Sequence, residues 1–269
     1  MYPIWIHDKK NPKPDVPVHY EISASGVFLH KETPFWKAVV PVDRISILEE
    51  QAPQFQLLLP PLPKEISKAV ARFFAWITLK YNTEVLVLLW WGGVENNAYE
   101  ITVPPQSVNC GSIKYGIPQK ANYRLIGSFH SHGSMKAFHS SVDTDDEINF
   151  DGIHGTFGGF FSHTNQNLFN LSIQACVNET RFDLDLTQYL EGVLEDKQVP
   201  DKEEPRRKYL RKIQKFYLLS GEEKLLPDNY EPPSGWLDNV RVVRSKELRE
   251  FLSKSFLPKD YYPPTRGPK

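Results

Sequence analysis

The sequence predicts a mixed α/β (α+β) domain built on a central sheet, followed by a charged, proline-containing extension. Three observations carry this expectation. One segment, PKEISKAVARFFAWITLKYN from Pro63, repeats apolar residues at helical spacing. A continuous apolar run of strand length, VLVLLWW, follows Glu84 and stops at Gly92-Gly93. Several shorter runs rich in branched and aromatic residues then lie between turn formers, as strands do.

Taken in order, residues 1–62 are proline-rich, with β-like runs at Gly26 to His30 and Trp36 to Val42. In the helix Ile66, Ala69, Val70, Phe73, Phe74 and Ile77 share a face, with Pro63 at its start and Asn82 at its end. The run after Glu84 reads as a strand buried on both faces and so central to its sheet. At its end Trp90 and Trp91 point to opposite sides, so at least one belongs to the core. Tyr99 to Val103 and Tyr123 to His132 are the next strands, and the loop around 105–122 is a candidate lid on its glycine and proline content. Asp143 opens DTDDEIN, whose carboxylates suit a first helical turn. Ile153 to Phe161, Asn167 to Val177 and Arg181 to Leu186 complete the strands, the last two joined by a tight turn at Asn178-Glu179.

The composition changes near Glu195: residues 196–269 hold 17 Lys and Arg against 12 Asp and Glu. The domain is therefore expected over 1–195 and a mildly basic extension over 196–269, with short helices at Arg206 to Leu219 and Ser245 to Leu257. Its basic run, Arg206 to Lys215, reads as a solvated helix face before a partner site.

Bulk properties narrow the function. At 269 residues, with 40% hydrophobic and 13% aromatic content, the chain supports a packed body. A net charge of -1 gives no overall basic field to draw it onto nucleic acid or an anionic membrane. Cys110 and Cys176, far apart and in no CxxC pair, provide neither a disulfide framework nor a thiolate zinc site. No apolar run approaches the ~18 residues of a spanning helix, and MYPIWIHDKK has no leader pattern. A soluble, cytoplasmic protein is expected.

The chemistry concentrates in LIGSFHSHGSMKAFHSSVDTDDE. Residues two apart in a strand project from one face, so His130 and His132 can offer two imidazoles to one ion. Gly133 and Ser134 turn the chain, and Asp143 returns as a third ligand. Two histidines and a carboxylate leave a fourth position for water, the mark of a catalytic rather than a structural zinc. Ser140 is then a donor for a developing oxyanion, and Glu84, at the head of an apolar strand, a candidate base. On the sequence alone a solvated strand-initiating residue is an equal reading of Glu84.

Glu84 before an apolar strand, with His-x-His, seven residues, Ser, two residues and Asp, resembles the JAMM (MPN+) metalloisopeptidases over about residues 20–190. The resemblance implies zinc held by His130, His132 and Asp143, with Glu84 as general acid/base and Ser140 as oxyanion support. The implied fold is cytidine-deaminase-like, a curved mixed sheet flanked by helices. Gly133 stands where eukaryotic members usually have proline, and DGIHGTFGGF and VNETRF are similar to bacterial and phage JAB-type domains. The implied substrate is a ubiquitin-like protein or its conjugates, cut after a terminal glycine, with activating and conjugating enzymes of the same operon as partners. Two other readings stand beside this one: a zinc-free MPN-type scaffold, although such relatives lose ligands that this chain keeps, and a zinc hydrolase of a small molecule or short peptide.

Other chemistry-bearing residues rank lower. His139 reads first as a surface loop histidine, and His154 and His163 as structural or surface residues. Cys110 in SVNCGSIKYG has no nucleophile signature.

Overall fold

The computed structural model describes residues 2–45, 48–93, 99–147, 150–196 and 215–243. The chain forms two compact units that divide between Gln56 and Leu57.

The first unit is a sheet of strands β1 (Ile4–Ile6), β2 (Val18–Ser23), β3 (Gly26–Glu32) and β4 (Lys37–Pro41), in that order. Alternation sorts its side chains onto two faces. Tyr20, Ile22, Val27, Leu29 and Val40 fall on one by register. On the other, Glu21 sits between His7 and His30: His7 Nδ1 lies 2.7 Å from Oε1, and His30 Nε2 is bonded to Oε2. His19 stacks on His30 with ring centroids 4.4 Å apart.

The second unit begins with α1 (Lys64–Tyr81) and continues through β5 (Leu86–Trp91), β6 (Tyr99–Thr102), β7 (Gln106–Asn109), β8 (Ser112–Tyr115) and β9 (Arg124–Ser131). Then follow α2 (Ser141–Glu147), β10 (Gly152–Gly158), β11 (Asn170–Val177), β12 (Thr180–Asp183), α3 (Leu186–Tyr189), β13 (Val193–Glu195), β14 (Tyr217–Leu219) and β15 (Val240–Val242). Among the described residues the main sheet runs β12-β11-β10-β9-β5-β6, parallel at β9/β10 and otherwise antiparallel.

The helix forms where periodicity places it, and the left-handed Asn82, at φ 49°, closes it. Its Val70, Phe73, Phe74 and Ile77 are fully buried in one cluster with Val85, Val87, Leu89, Phe129 and Phe157 from one face of the sheet. Leu86, Leu88 and Trp90 point the other way, covered by Ile113, Tyr115, Tyr123 and Leu125. The apolar run is thus buried on both faces, and Trp90 settles its indole N–H on Thr102 Oγ1 at 2.7 Å. The turn at Asn178-Glu179 takes positive φ at both residues, as a two-residue hairpin of this twist requires.

The architecture is mixed α/β but mostly sheet. Beside the 18 residues of α1, the helices α2 and α3 have seven and four. The 105–122 stretch expected to be a loop contains the hairpin β7–β8, which packs with β15. The expected helix Arg206 to Leu219 ends instead in strand β14, which pairs with β13; its residues 206–214, and all of Ser245 to Leu257, lie outside the described residues. Residues 215–243, assigned on composition to an extension, contribute Tyr217, Leu219, Leu225 and Trp236 to the core, with Trp236 edge-on to Phe73 at 5.0 Å. Glu222 fastens the same segment to α1 by accepting from Lys68 and Arg72. Among the described residues, no helix is long and apolar enough to cross a membrane.

Candidate metal centre

The register of β5 against β9 pairs Leu86 with His130, and Ser131 N donates to Val85 O at 2.9 Å. Continued two residues, that register sets Glu84 opposite His132. Alternation then leaves Glu84, Leu86, Ser128, His130 and His132 on the face turned away from α1. All five line a cavity of about 320 Å³, together with Ser140 and Asp143.

His130 and His132 bring their Nε2 atoms within 3.2 Å of each other. Asp143 places Oδ1 3.5 Å from His130 Nε2 and Oδ2 3.3 Å from His132 Nε2. Ligand atoms about 2.1 Å from a tetrahedral zinc stand about 3.4 Å from one another, so this donor set fits the ion. The second nitrogen of His132, Nδ1, lies 3.2 Å from the Lys136 carbonyl; donating there turns the lone pair of Nε2 toward the centre. Two facing imidazole nitrogens need a cation or a proton between them.

The turn after His132 is built for this. Gly133 has φ 60°, a conformation closed to proline, whose ring holds φ near about -65°. The following loop is then held by the turn just after β10: Gly159 N donates to Met135 O, and Phe160 N to Gly133 O. A methyl group on Gly158 would stand 2.3 Å from the Met135 carbonyl oxygen, so the loop's path depends on the bare backbone there. Ser140 and Asp143 cap each other at the start of α2, Ser140 N donating to Oδ2 at 2.7 Å and Asp143 N to Ser140 Oγ at 3.2 Å. The Ser140 side chain also bonds the Asp143 carboxylate and helps to keep it ionised.

Electrostatics separate the two carboxyls. Burial pushes Glu84 up from the ordinary carboxylate value, outweighing the charges of His132 and His130. Burial pushes Asp143 the same way, but hydrogen bonds from His130 and His132 hold it well below the usual carboxylate range. Asp143 is therefore the anion and Glu84 the carboxyl able to carry a proton. His132 is raised, because the bond and charge of Asp143 overcome the effect of burial.

All five residues singled out from the sequence share this cavity, but other functional neighbours were missed. Glu147 also lines it; four residues after Asp143 in DTDDEIN, it lies on the same helix face, and that spacing is the signal in the sequence that points to it. Ser112, Ile113 and Tyr115 of the unexpected hairpin form another wall, and Met135 and Phe138 contribute half-exposed apolar surface. His139 is no surface histidine: its side chain is only 6% exposed, with Nδ1 3.0 Å from Glu147 Oε2. His154 is structural, bridging Ser128 Oγ and the Phe150 carbonyl in full burial. His163 stays in a turn, accepting from Asn165 N. Cys110 is exposed and Cys176 buried, and neither lines the cavity.

No protein-family model matches the chain, and no curated protein matches it.

Proposed function

We propose that the chain is a zinc hydrolase of the JAMM type, nearest the prokaryotic JAB-like branch. Its reaction would be hydrolysis of the peptide or isopeptide bond after the terminal glycine of a ubiquitin-like protein. The convergence of His130, His132 and Asp143 in one cavity with Glu84 carries this reading. A central mixed sheet backed by α1 fits a JAMM-like fold loosely, since helices cover less of the sheet than in the expected architecture.

The chemistry that a zinc ion supplies in such a place is Lewis acidity, which lowers the pKa of water from about 15.7 to about 7. Glu84, partly desolvated and facing His132, takes the proton released by the attacking water and returns it to the leaving nitrogen. Ser140 keeps its proton and hydrogen-bonds through its hydroxyl to the oxyanion that develops on the carbonyl. Asp143 stays ionised throughout and balances the charge of the centre. Ser112, Ile113 and Tyr115 of β8, an edge strand among the described residues, line the cavity, so an extended substrate tail could add along it.

Precursor maturation and deconjugation use the same cut, with activating and conjugating enzymes as the expected cytoplasmic partners. A second reading, hydrolysis of a small molecule or short peptide, draws on the cavity's volume, near the lower end of about 300–1,000 Å³ for ligand pockets. The retained ligand set speaks against a zinc-free scaffold. Incubation of the zinc-loaded chain with a ubiquitin-like fusion, read by mass spectrometry, should release a product ending in glycine. Intact fusion beside hydrolysis of short peptides would replace the first reading by the second.

A further inference from the structure

We propose that Arg181, Glu147 and His139 form a positioning relay that sets Asp143 at the metal centre; this rests on the zinc reading above. The argument begins with α2. At seven residues it is too short to hold itself, since isolated helices below about 12–15 residues are marginal in water. The mutual cap of Ser140 and Asp143 orders that turn locally, but does not fix where it lies relative to His130 and His132. Glu147, the last residue of α2 and 5% exposed, supplies the outside reference.

One carboxylate oxygen, Oε2, accepts from His139 Nδ1 at 3.0 Å and from Arg181 Nη1 at 2.9 Å. Arg181 belongs to β12 at the edge of the main sheet, and its fork makes two further bonds: Nη1 to Gln174 Oε1 at 3.0 Å and Nη2 to the Thr144 carbonyl at 3.4 Å. Gln174, on β11, is steadied in turn by donating to Asp183 Oδ1 at 2.7 Å. The segment that delivers Ser140 and Asp143 is thus clasped before it, just after it and at its end, all referred to the edge of the same sheet whose middle strand carries the histidines. Burial of Glu147 is outweighed by the bond and charge of His139, the charge of His154 and the hydrogen bond from Arg181, which hold it below the ordinary carboxylate value. It therefore serves these bonds as an anion. Arginine suits the position because its planar fork makes several bonds in fixed directions, as lysine cannot.

The test is zinc affinity of the full chain, measured by competition with a chromophoric chelator, alongside the visible absorption of the cobalt(II)-substituted protein. Arg181→Ala and Glu147→Gln should each weaken zinc about 10–100-fold and alter the cobalt bands, as loss of an outer partner does. Arg181→Lys and His139→Asn keep most of the packing and should fall between these and the wild type, which keeps the test open if Arg181→Ala does not fold. Folded variants, by circular dichroism, that bind zinc within about twofold of wild type with unchanged bands would overturn the relay while leaving the metal centre standing. Wild-type chain without zinc affinity would overturn both.

Discussion

Two places in the molecule set a pair of imidazoles beside one carboxylate, and they do different things with them. At the end of β9, His130 and His132 come from one strand and Asp143 from a separate helix, and the three donor atoms close on a common point. In the N-terminal sheet the carboxylate of Glu21 lies on the middle strand β2, with His7 just past β1 and His30 on β3. Each imidazole faces its own carboxylate oxygen in both places, but only His130 and His132 also bring their Nε2 atoms together, 3.2 Å apart, so that only the first three close within ligand distance of one another. Composition is the same; what differs is whether the two imidazoles come from one strand or from two. A carboxylate on a strand between two histidine-bearing strands holds the imidazoles apart, whereas two histidines on one face of one strand turn their nitrogens to a common point and leave room for an ion.

That contrast sets the expected experiments. The largest effect belongs to the first group: Asp143→Ala or His130→Ala should remove stoichiometric zinc, measured by metal analysis after dialysis, while His7→Ala and His30→Ala leave about one zinc per chain, as three ligands predict. Zinc lost with His30→Ala would erase the distinction. Next, Glu84→Gln should keep zinc yet reduce turnover about 100–10,000-fold, the usual range for a general acid/base, read from cleavage kinetics. Full activity would return Glu84 to the role of a strand-initiating residue. Smaller is the cost of Glu21→Gln, about 1–3 kcal/mol for weakened charged hydrogen bonds, followed by hydrogen exchange of the β2 and β3 amides.

The pH dependence of the N-terminal sheet sharpens the same point. His19 lies below its ordinary 6.5 because of burial and the charge of His30. Its unfolded form therefore binds the proton first, and stability is lost as pH falls below about 6.5. Glu21 lies below its ordinary 4.5: burial opposes this, but the bonds from His7 and His30 prevail. Its contribution is present above 4.5 and disappears as pH falls through the depressed value. Protection of the β2 and β3 amides, taken relative to the intrinsic exchange rate at each pH, should therefore fall in two stages on acidification, and His19→Phe should suppress the first. A single stage would remove His19 from the account.

The candidate site was legible because its signals are local. Histidines two apart need only a strand, and Asp143 needs only a turn and a cap. The helix α1 and strand β5 were legible because their burial is periodic or continuous over many residues. The hairpin β7–β8 was not, since its four-residue strands QSVN and SIKY carry little apolar alternation and depend on pairing with the distant β15. Strand β14 was hidden for a similar reason: YLL is ordered by β13 and by a bridge from Phe169 to Tyr217. Arg181 and Glu147 are 34 positions apart, and nothing local in either announces the other.

The connection from α1 to β5 is only Asn82 to Val85, while at the far end of β5 a bulge between Leu89 and Trp90 shifts the pairing with β9. These two ends have unequal tolerance for inserted length. A residue gained beyond the bulge can be taken up there without disturbing Leu86 and His130. A residue gained between Glu84 and Val85, with Leu86 held opposite His130, would turn the Glu84 carboxyl toward the core and set the inserted side chain toward the histidines. Chains descended from this one can therefore gain length beyond the bulge, while the two residues ahead of Leu86 must keep their number.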